Sequence, residues 1–295
     1  MIIHFAGLGS MGSGMATACL RAGHEVHGTD PSAERLAALV AAGGHALTEG
    51  SPAADIAVSV VLNADQSRAA IFGAGGLASR LAPGGVILGC ATVAPDFARE
   101  MEAQAQAMGL HYLDAPISGG AGKAATGQLT VMASGTPDAF TTARPALDAM
   151  AETVFELGDS AGPASAMKAV NQLLAGVHIA AMAEALTFGM TQGISPEKFH
   201  QVIPRCAGTS WMLENRAPHI VAGDYTPHSQ VNIWPKDLGI VLDIARDARF
   251  SAPITAAALQ QYLAAAGMGL GREDDAAVAK VYARNAGLTL PGEAG

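Results

Sequence analysis

Aromatic side chains are scarce in this chain, at 5% of 295 residues, and charged ones make up only 15%. Any core must be built from aliphatic and small side chains. Half of the residues are hydrophobic, which supplies enough of them for two domains. No Lys/Arg-rich run occurs and the formal net charge is −9, so nucleic acid is not expected as a partner. That balance does not exclude an anionic small molecule, because a site can be locally positive. Cys19, Cys90 and Cys206 lie far apart and show no C-x-x-C spacing. They read as buried thiols in a reducing cytoplasm rather than as disulfides or a zinc site. The opening MIIHF has no basic stretch before an apolar core, so no signal peptide is expected. The most apolar stretch, residues 173–183, is too short to span a bilayer and contains His178, so no membrane partner is expected.

What the chain does have is a regular alternation. Residues 2–6, 25–29, 56–62, 86–90, 110–114 and 129–133 read as strands. Residues 11–21, 32–42, 95–108 and 137–150 read as helices between them. The run IAVSVVL at 56–62 is continuously apolar, as in a parallel strand covered on both faces. This rhythm predicts an α/β fold with a doubly wound, Rossmann-type sheet over residues 1–162. It stops near residues 158–162. A long interdomain helix is expected over 163–192, with Gly193 as its C-cap, and leads into an all-α domain over 163–295. Helices are expected at 196–206, 236–249 and 253–266, and the tail LTLPGEAG is expected to fray.

The first strand runs directly into Gly7-Leu8-Gly9-Ser10-Met11-Gly12. Gly7 would allow the tight turn, Gly9 the approach of a pyrophosphate, and Gly12 close packing of helix on sheet. The phosphates would sit on the helix N-terminus, where free N–H groups and the helix dipole favour anions. The next strand ends at Asp30, where a carboxylate can accept hydrogen bonds from ribose hydroxyls. Without nucleotide, the same stretch would be a plain glycine turn. Asp30 repels a 2′-phosphate, Pro31 and Ser32 are not basic, and Arg35 is expected to face solvent. The reading is therefore NAD in preference to NADP.

Three further stretches stand out. They are DAPISGG at 114–120, continuing AGKAATGQLTVMASG; MKAVNQLL at 167–174; and KDLGIVLD at 236–243. With the glycine motif they resemble, in order and over nearly the whole chain, the four signatures of the β-hydroxyacid dehydrogenase family. That family includes 3-hydroxyisobutyrate dehydrogenases and tartronate semialdehyde reductases. The stretches AGVHIAAMAEALTFG and SWMLENRAPHIVAGDYTP, with KDLGIVLD, resemble the branch that oxidises four-carbon sugar acids such as L-threonate.

The resemblance implies NAD-dependent oxidation of the hydroxyl of a small carboxylate. Lys168 would be the general acid/base. A lysine in water titrates near ~10.4, so acting at neutral pH requires desolvation or a nearby cation. Composition alone would make Lys168 a snorkelling surface lysine. Asn171, three residues on, shares its helix face and would orient substrate or lysine. His178, ten residues beyond Lys168, is expected to pack elsewhere. Ser118, Gly119 and Gly120 would hold the substrate carboxylate with a hydroxyl and backbone amides. Thr92 would serve the nicotinamide ribose, although Ala91 stands where the family usually has serine. Asn63, ending a strand, sits where sheet loops meet cofactor. Lys236 would reach cofactor or substrate from the second domain, capped or oriented by Asp237, and Pro235 suits a first helical turn. Ser210, Trp211, Asn215 and Asn232 could read extra hydroxyls on a sugar acid. No metal is expected. A homo-oligomer, dimer or tetramer, is expected from the apolar surface of the long helix and the Ala-rich helices. The competing readings are a 3-hydroxyisobutyrate dehydrogenase, a tartronate semialdehyde reductase, and a non-catalytic dinucleotide sensor. Retention of Lys168 and Asn171 argues against the sensor, and an imine-reducing relative is disfavoured by the lysine.

Overall fold

A computed structural model describes residues 1–293. The chain opens β1 (Ile2–Ala6), α1 (Ser10–Arg21), β2 (Glu25–Thr29), α2 (Ala33–Ala41) and β3 (His45–Ala46). It continues β4 (Ala54–Ser59), α3 (Ala64–Phe72), β5 (Leu81–Gly89), α4 (Pro95–Ala107) and β6 (His111–Asp114). These strands form one sheet in the order β3-β2-β1-β4-β5-β6, with every pair parallel. This is the expected Rossmann-type order, which reverses between β1 and β4. Both faces are covered. Ile3, Phe5, Ile56, Val58, Val86 and Leu88 belong to one buried cluster, and Ala57 and Ile87 to another. That double burial explains the continuous apolar runs.

The first strands lie where the pattern placed them, but β4 ends at Ser59 rather than at residue 62. Val60 donates its N–H to Ala6, and Leu62 turns outward, half exposed, with its N–H on Gln66. A second, small sheet follows, which the pattern shows only in its central strand. It comprises β7 (Ile117–Ser118), β8 (Leu129–Ala133) and β9 (Ala151–Glu156) in that order, with α5 (Gly120–Thr126) and α6 (Pro137–Met150) between them. The outer strand β9 shows little apolar pattern because most of its residues face solvent.

Next comes α7 (Pro163–Thr191), and Gly193 behind it takes φ +77°. The rest is helical: α8 (Pro196–Val202), α9 (Trp211–Ala222), α10 (Ile233–Asp247), α11 (Pro253–Ala265) and α12 (Ala279–Asn285). Two compact units result, Met1–Ala169 and Val170 onward. α8 stops four residues short of expectation. Ile203–Arg205 tightens into a 3-10 turn around Pro204, which cannot continue the ladder. α10 starts three residues early, with Pro235 inside its first turn, where no N–H partner is needed. The tail does not fray through residue 293. Leu290 is buried and Gly292 packs against Gly223; residues 294 and 295 lie outside the described residues. Cys206 is exposed, unlike the buried Cys19 and Cys90, and all three thiols are free. α7 as a whole is long and apolar enough to cross a membrane, which the 173–183 window alone did not suggest. Its Ile179, Met182, Ala183 and Leu186 are nevertheless buried in the core of the second unit.

Three histidines stand in register across β1, β2 and β3: His4 beside His27, and His27 beside His45. Their ring centroids are 5.5 and 5.0 Å apart. His4 is fully buried. Burial first, then the neighbouring His27 and Arg80, lower its pKa from 6.5 to about 4, against the opposing pull of the Pro52 carbonyl and Glu25. The unfolded chain therefore takes up this proton before the native one does, and His4 costs stability progressively as pH falls from 6.5 to about 4. Chemical denaturation across that range should show a flatter stability profile for His4→Leu than for the unaltered chain.

Candidate active site

The glycine turn owes its shape to contacts that only glycine permits. Gly7 has φ +93° and donates its N–H to Thr29 at 3.0 Å. A Cβ on Gly7 would collide with the Val60 carbonyl, and one on Gly12 with the carbonyl of Gly7. Gly9 differs, because a Cβ there would meet nothing nearer than the Arg35 guanidinium at 3.8 Å. Gly9 is the N-cap of α1 and offers no side-chain cap, so open space lies over a first turn that no side chain has closed. Leu8 is buried, Ser10 exposed and Met11 half-buried. Asp30 is held rigidly at the end of β2: its Oδ2 accepts the Leu8 N–H at 2.7 Å and its Oδ1 the Ser32 N–H at 2.8 Å. Arg35 is more than half exposed, as expected, yet its guanidinium stands 3.7 Å from Asp30. An open glycine cradle, an uncapped helix start and a fixed acid together fit the pyrophosphate and ribose of a dinucleotide. Asn63 caps α3, accepting the Gln66 N–H at 2.9 Å, and Thr92 lies half-buried between β5 and α4.

Lys168 sits one turn into α7 and is only 8% exposed. Its Nζ donates to the Ile117 carbonyl at 2.9 Å. Ile117 is followed directly by Ser118, Gly119 and Gly120, so the structure brings the amine beside the start of this turn. Gly119 and Gly120 take φ of +133° and +75°, and a Cβ on Gly120 would meet nothing within 4 Å. Ser118 is anchored in β7 by pairing with Thr130.

In the second unit the Asn171 amide donates to Gln172 at 2.9 Å, and the Gln172 amide donates to Asp237. Asp237 is buried and pairs with Lys236 at 2.6 Å. Gln172 ties the two motifs together; only its position next to Asn171 hinted at this. Ser210 caps α9 by accepting the Leu213 N–H at 3.1 Å, and Asn215 accepts from Arg216. Trp211 is 60% exposed, and the Asn232 side chain packs on Gly271. Among the described residues, no group of three or more His, Cys, Asp or Glu side chains could hold a metal ion.

Comparison with known proteins covers nearly the whole chain. The family model for the NAD binding domain of 6-phosphogluconate dehydrogenase matches residues 2–158. That for the NAD-binding region of NADP-dependent 3-hydroxyisobutyrate dehydrogenase matches residues 162–282. The chain belongs to the 3-hydroxyisobutyrate dehydrogenase-like family. It is an NAD-binding hydroxyacid dehydrogenase. It is 46% identical to an L-threonate dehydrogenase of Cupriavidus necator, over 98% of this chain and 97% of that protein. Identity to the L-threonate dehydrogenase of Escherichia coli K12 is 42%, over 98% and 96%. A crystal structure of 3-hydroxyisobutyrate dehydrogenase from Salmonella typhimurium superposes with a TM-score of 0.90 at 44% identity, covering 95% of this chain and 99% of that one.

The two glycines separate shape from binding. Gly12→Ala should lower stability by about 1–3 kcal/mol, because backbone rather than a flexible side chain must yield. Gly9→Ala should leave the melting temperature of the coenzyme-free protein unchanged.

Proposed function

We propose that this family member oxidises L-threonate, or a closely related four-carbon sugar acid, with NAD, and that Lys168 is the general acid/base. The observation that carries the chemistry is a buried lysine whose amine is fixed on the carbonyl next to a glycine turn. Sequence identity to L-threonate dehydrogenases over nearly the full chain supports the substrate.

In this reading Ser118, Gly119 and Gly120 bind the substrate carboxylate through a hydroxyl and backbone N–H groups. The Gly7-Leu8-Gly9-Ser10-Met11-Gly12 turn and Asp30 hold pyrophosphate and adenosine ribose. Bound NAD supplies the hydride acceptor. Lys168 in its neutral form takes the hydroxyl proton as the carbinol carbon is oxidised, and returns it to the carbonyl oxygen in the reverse direction. Asn171, one turn on in α7, orients the hydroxyl. Burial of Lys168 keeps water from competing for that proton and limits the amine to one geometry. Asp30 favours NAD over NADP through repulsion of a 2′-phosphate. We also assign the protein to the cytoplasm, supported by its free thiols, and to a homo-oligomer, supported by the exposed Val170, Leu174 and Phe188 on α7.

A second reading is 3-hydroxyisobutyrate as substrate, favoured by the Salmonella typhimurium structure. Steady-state assays of L-threonate and 3-hydroxyisobutyrate oxidation with NAD and NADP, and of tartronate semialdehyde reduction with NADH and NADPH, separate these readings. The highest kcat/KM is expected for L-threonate with NAD, and a preference for 3-hydroxyisobutyrate would refute the sugar-acid reading. Lys168→Met should cut kcat roughly 10²- to 10⁴-fold in protein that still folds and binds NAD, with a modest fall in melting temperature because the Ile117 carbonyl loses its donor. Near-normal turnover in that variant would remove Lys168 from the mechanism. Gly9→Ala should bind NAD more weakly by titration.

A further inference from the structure

A helix start is normally closed by the side chain at its own N-cap. Here Gly162, with φ +118°, precedes Pro163 and has none to offer. The cap comes from positions 30 to 51 residues earlier in the chain. Asp114, at the end of β6 and wholly buried, supplies most of it. Its Oδ2 accepts the N–H groups of Gly162 at 3.0 Å and Ser165 at 2.9 Å, and its Oδ1 accepts the Ser165 hydroxyl at 2.7 Å. The Ala164 N–H goes to the Ser134 hydroxyl at 3.0 Å, and Pro163 has no N–H to place. Ser134 is itself locked to Asp114 by reciprocal backbone bonds of 3.0 and 2.9 Å.

These bonds close a small ring. From Asp114 the chain runs three residues to Ile117, whose carbonyl takes the Lys168 amine. From Lys168 one turn of α7 leads back to Ser165, and Ser165 returns to Asp114. The rotation and height of the first turn of α7, and with them the place of the amine, are therefore set from β6. We infer that Asp114, assisted by Ser134, is a positioning residue for Lys168, acting through the first turn of α7 rather than on substrate. The inference rests on the reading of Lys168 as the acid/base group. Its basis is geometric. Burial pushes the Asp114 carboxyl up from the ordinary carboxylate range, against the pull of the Ser165, Gly162 and Ser134 donors, so a strongly stabilised negative charge is not what the site provides.

The test compares the full chain with Asp114→Ala, Asp114→Asn and the double variant Ser134→Ala/Ser165→Ala. Two readouts are taken on protein shown to be folded by circular dichroism and melting. One is kcat and KM for L-threonate with NAD. The other is the rate at which Lys168 is reductively methylated, read by peptide mass mapping with the remaining lysines as internal controls. In Asp114→Ala, kcat should fall roughly 10- to 100-fold with KM little changed, and Lys168 alone should methylate faster. Asp114→Asn can offer its oxygen to the two amides and its NH₂ to the Ser165 oxygen, so it should recover most of both losses. If Asp114→Ala does not fold, the double variant removes two of the four bonds, leaves the carboxylate, and should show the same changes in weaker form. Loss of melting temperature with unchanged kcat and unchanged Lys168 methylation would reduce Asp114 to a stabiliser and overturn the inference. So would an Asp114→Asn variant as impaired as Asp114→Ala, because charge would then be the active property. A wild-type chain that oxidises none of the acids would defeat the proposed function alone, and the methylation rates would still decide the positioning role.

Discussion

One hydrogen bond organises the candidate site: the Lys168 amine on the Ile117 carbonyl at 2.9 Å. A buried amine left without a partner is costly, and a lysine stem has four rotatable bonds to fix. The chain meets both demands by bringing β6, β7 and the first turn of α7 into register. Glycines 119 and 120 then open the backbone immediately beyond the lysine's acceptor. The same few residues that hold the amine thus present an open glycine turn beside it, the turn to which the proposed function assigns the substrate carboxylate.

The coenzyme end depends on a different constraint, the close approach of backbone to backbone. Gly7 and Gly12 are needed because carbonyl oxygens occupy the space a side chain would fill. Gly9 is needed, in the proposed function, because a coenzyme would. Parallel strand order with reversal between β1 and β4 puts this turn at the open crest of the sheet. Gly7 and Gly12 therefore permit the fold, while Gly9, in the proposed function, leaves room for the ligand.

How much of this could be read in the sequence follows the distance over which each contact acts. The glycine turn and the 114–120 stretch are each contiguous in sequence, so their residue types mark them as candidates, and Asp30 is legible from its place at the end of the next strand. The apolar pattern overshoots the end of β4 because Val60, Val61 and Leu62 continue an apolar run after the ladder has stopped. β9 leaves no apolar pattern in the sequence because it is an edge strand with a mostly wet surface. The link from Gln172 to Asp237 spans 65 residues and the cap from Asp114 to Ser165 spans 51, and neither leaves a local pattern. Cys206 was expected inside because cysteine usually is, yet it ends in a solvent-facing turn after α8. Substrate-reading residues are the least legible group. Ser210 and Asn215 are polar side chains already engaged in local contacts.

The central claim is that the Lys168 amine meets the reacting hydroxyl while the 118–120 turn holds the carboxylate. A crystal structure of the dead-end complex with NADH and L-threonate tests it most directly. The account predicts the acid's carboxylate on Ser118, Gly119 and Gly120, and its hydroxyl oxygen within hydrogen-bond reach of Lys168 Nζ. A bound acid whose hydroxyl is held by another group, with Lys168 out of contact, would contradict it.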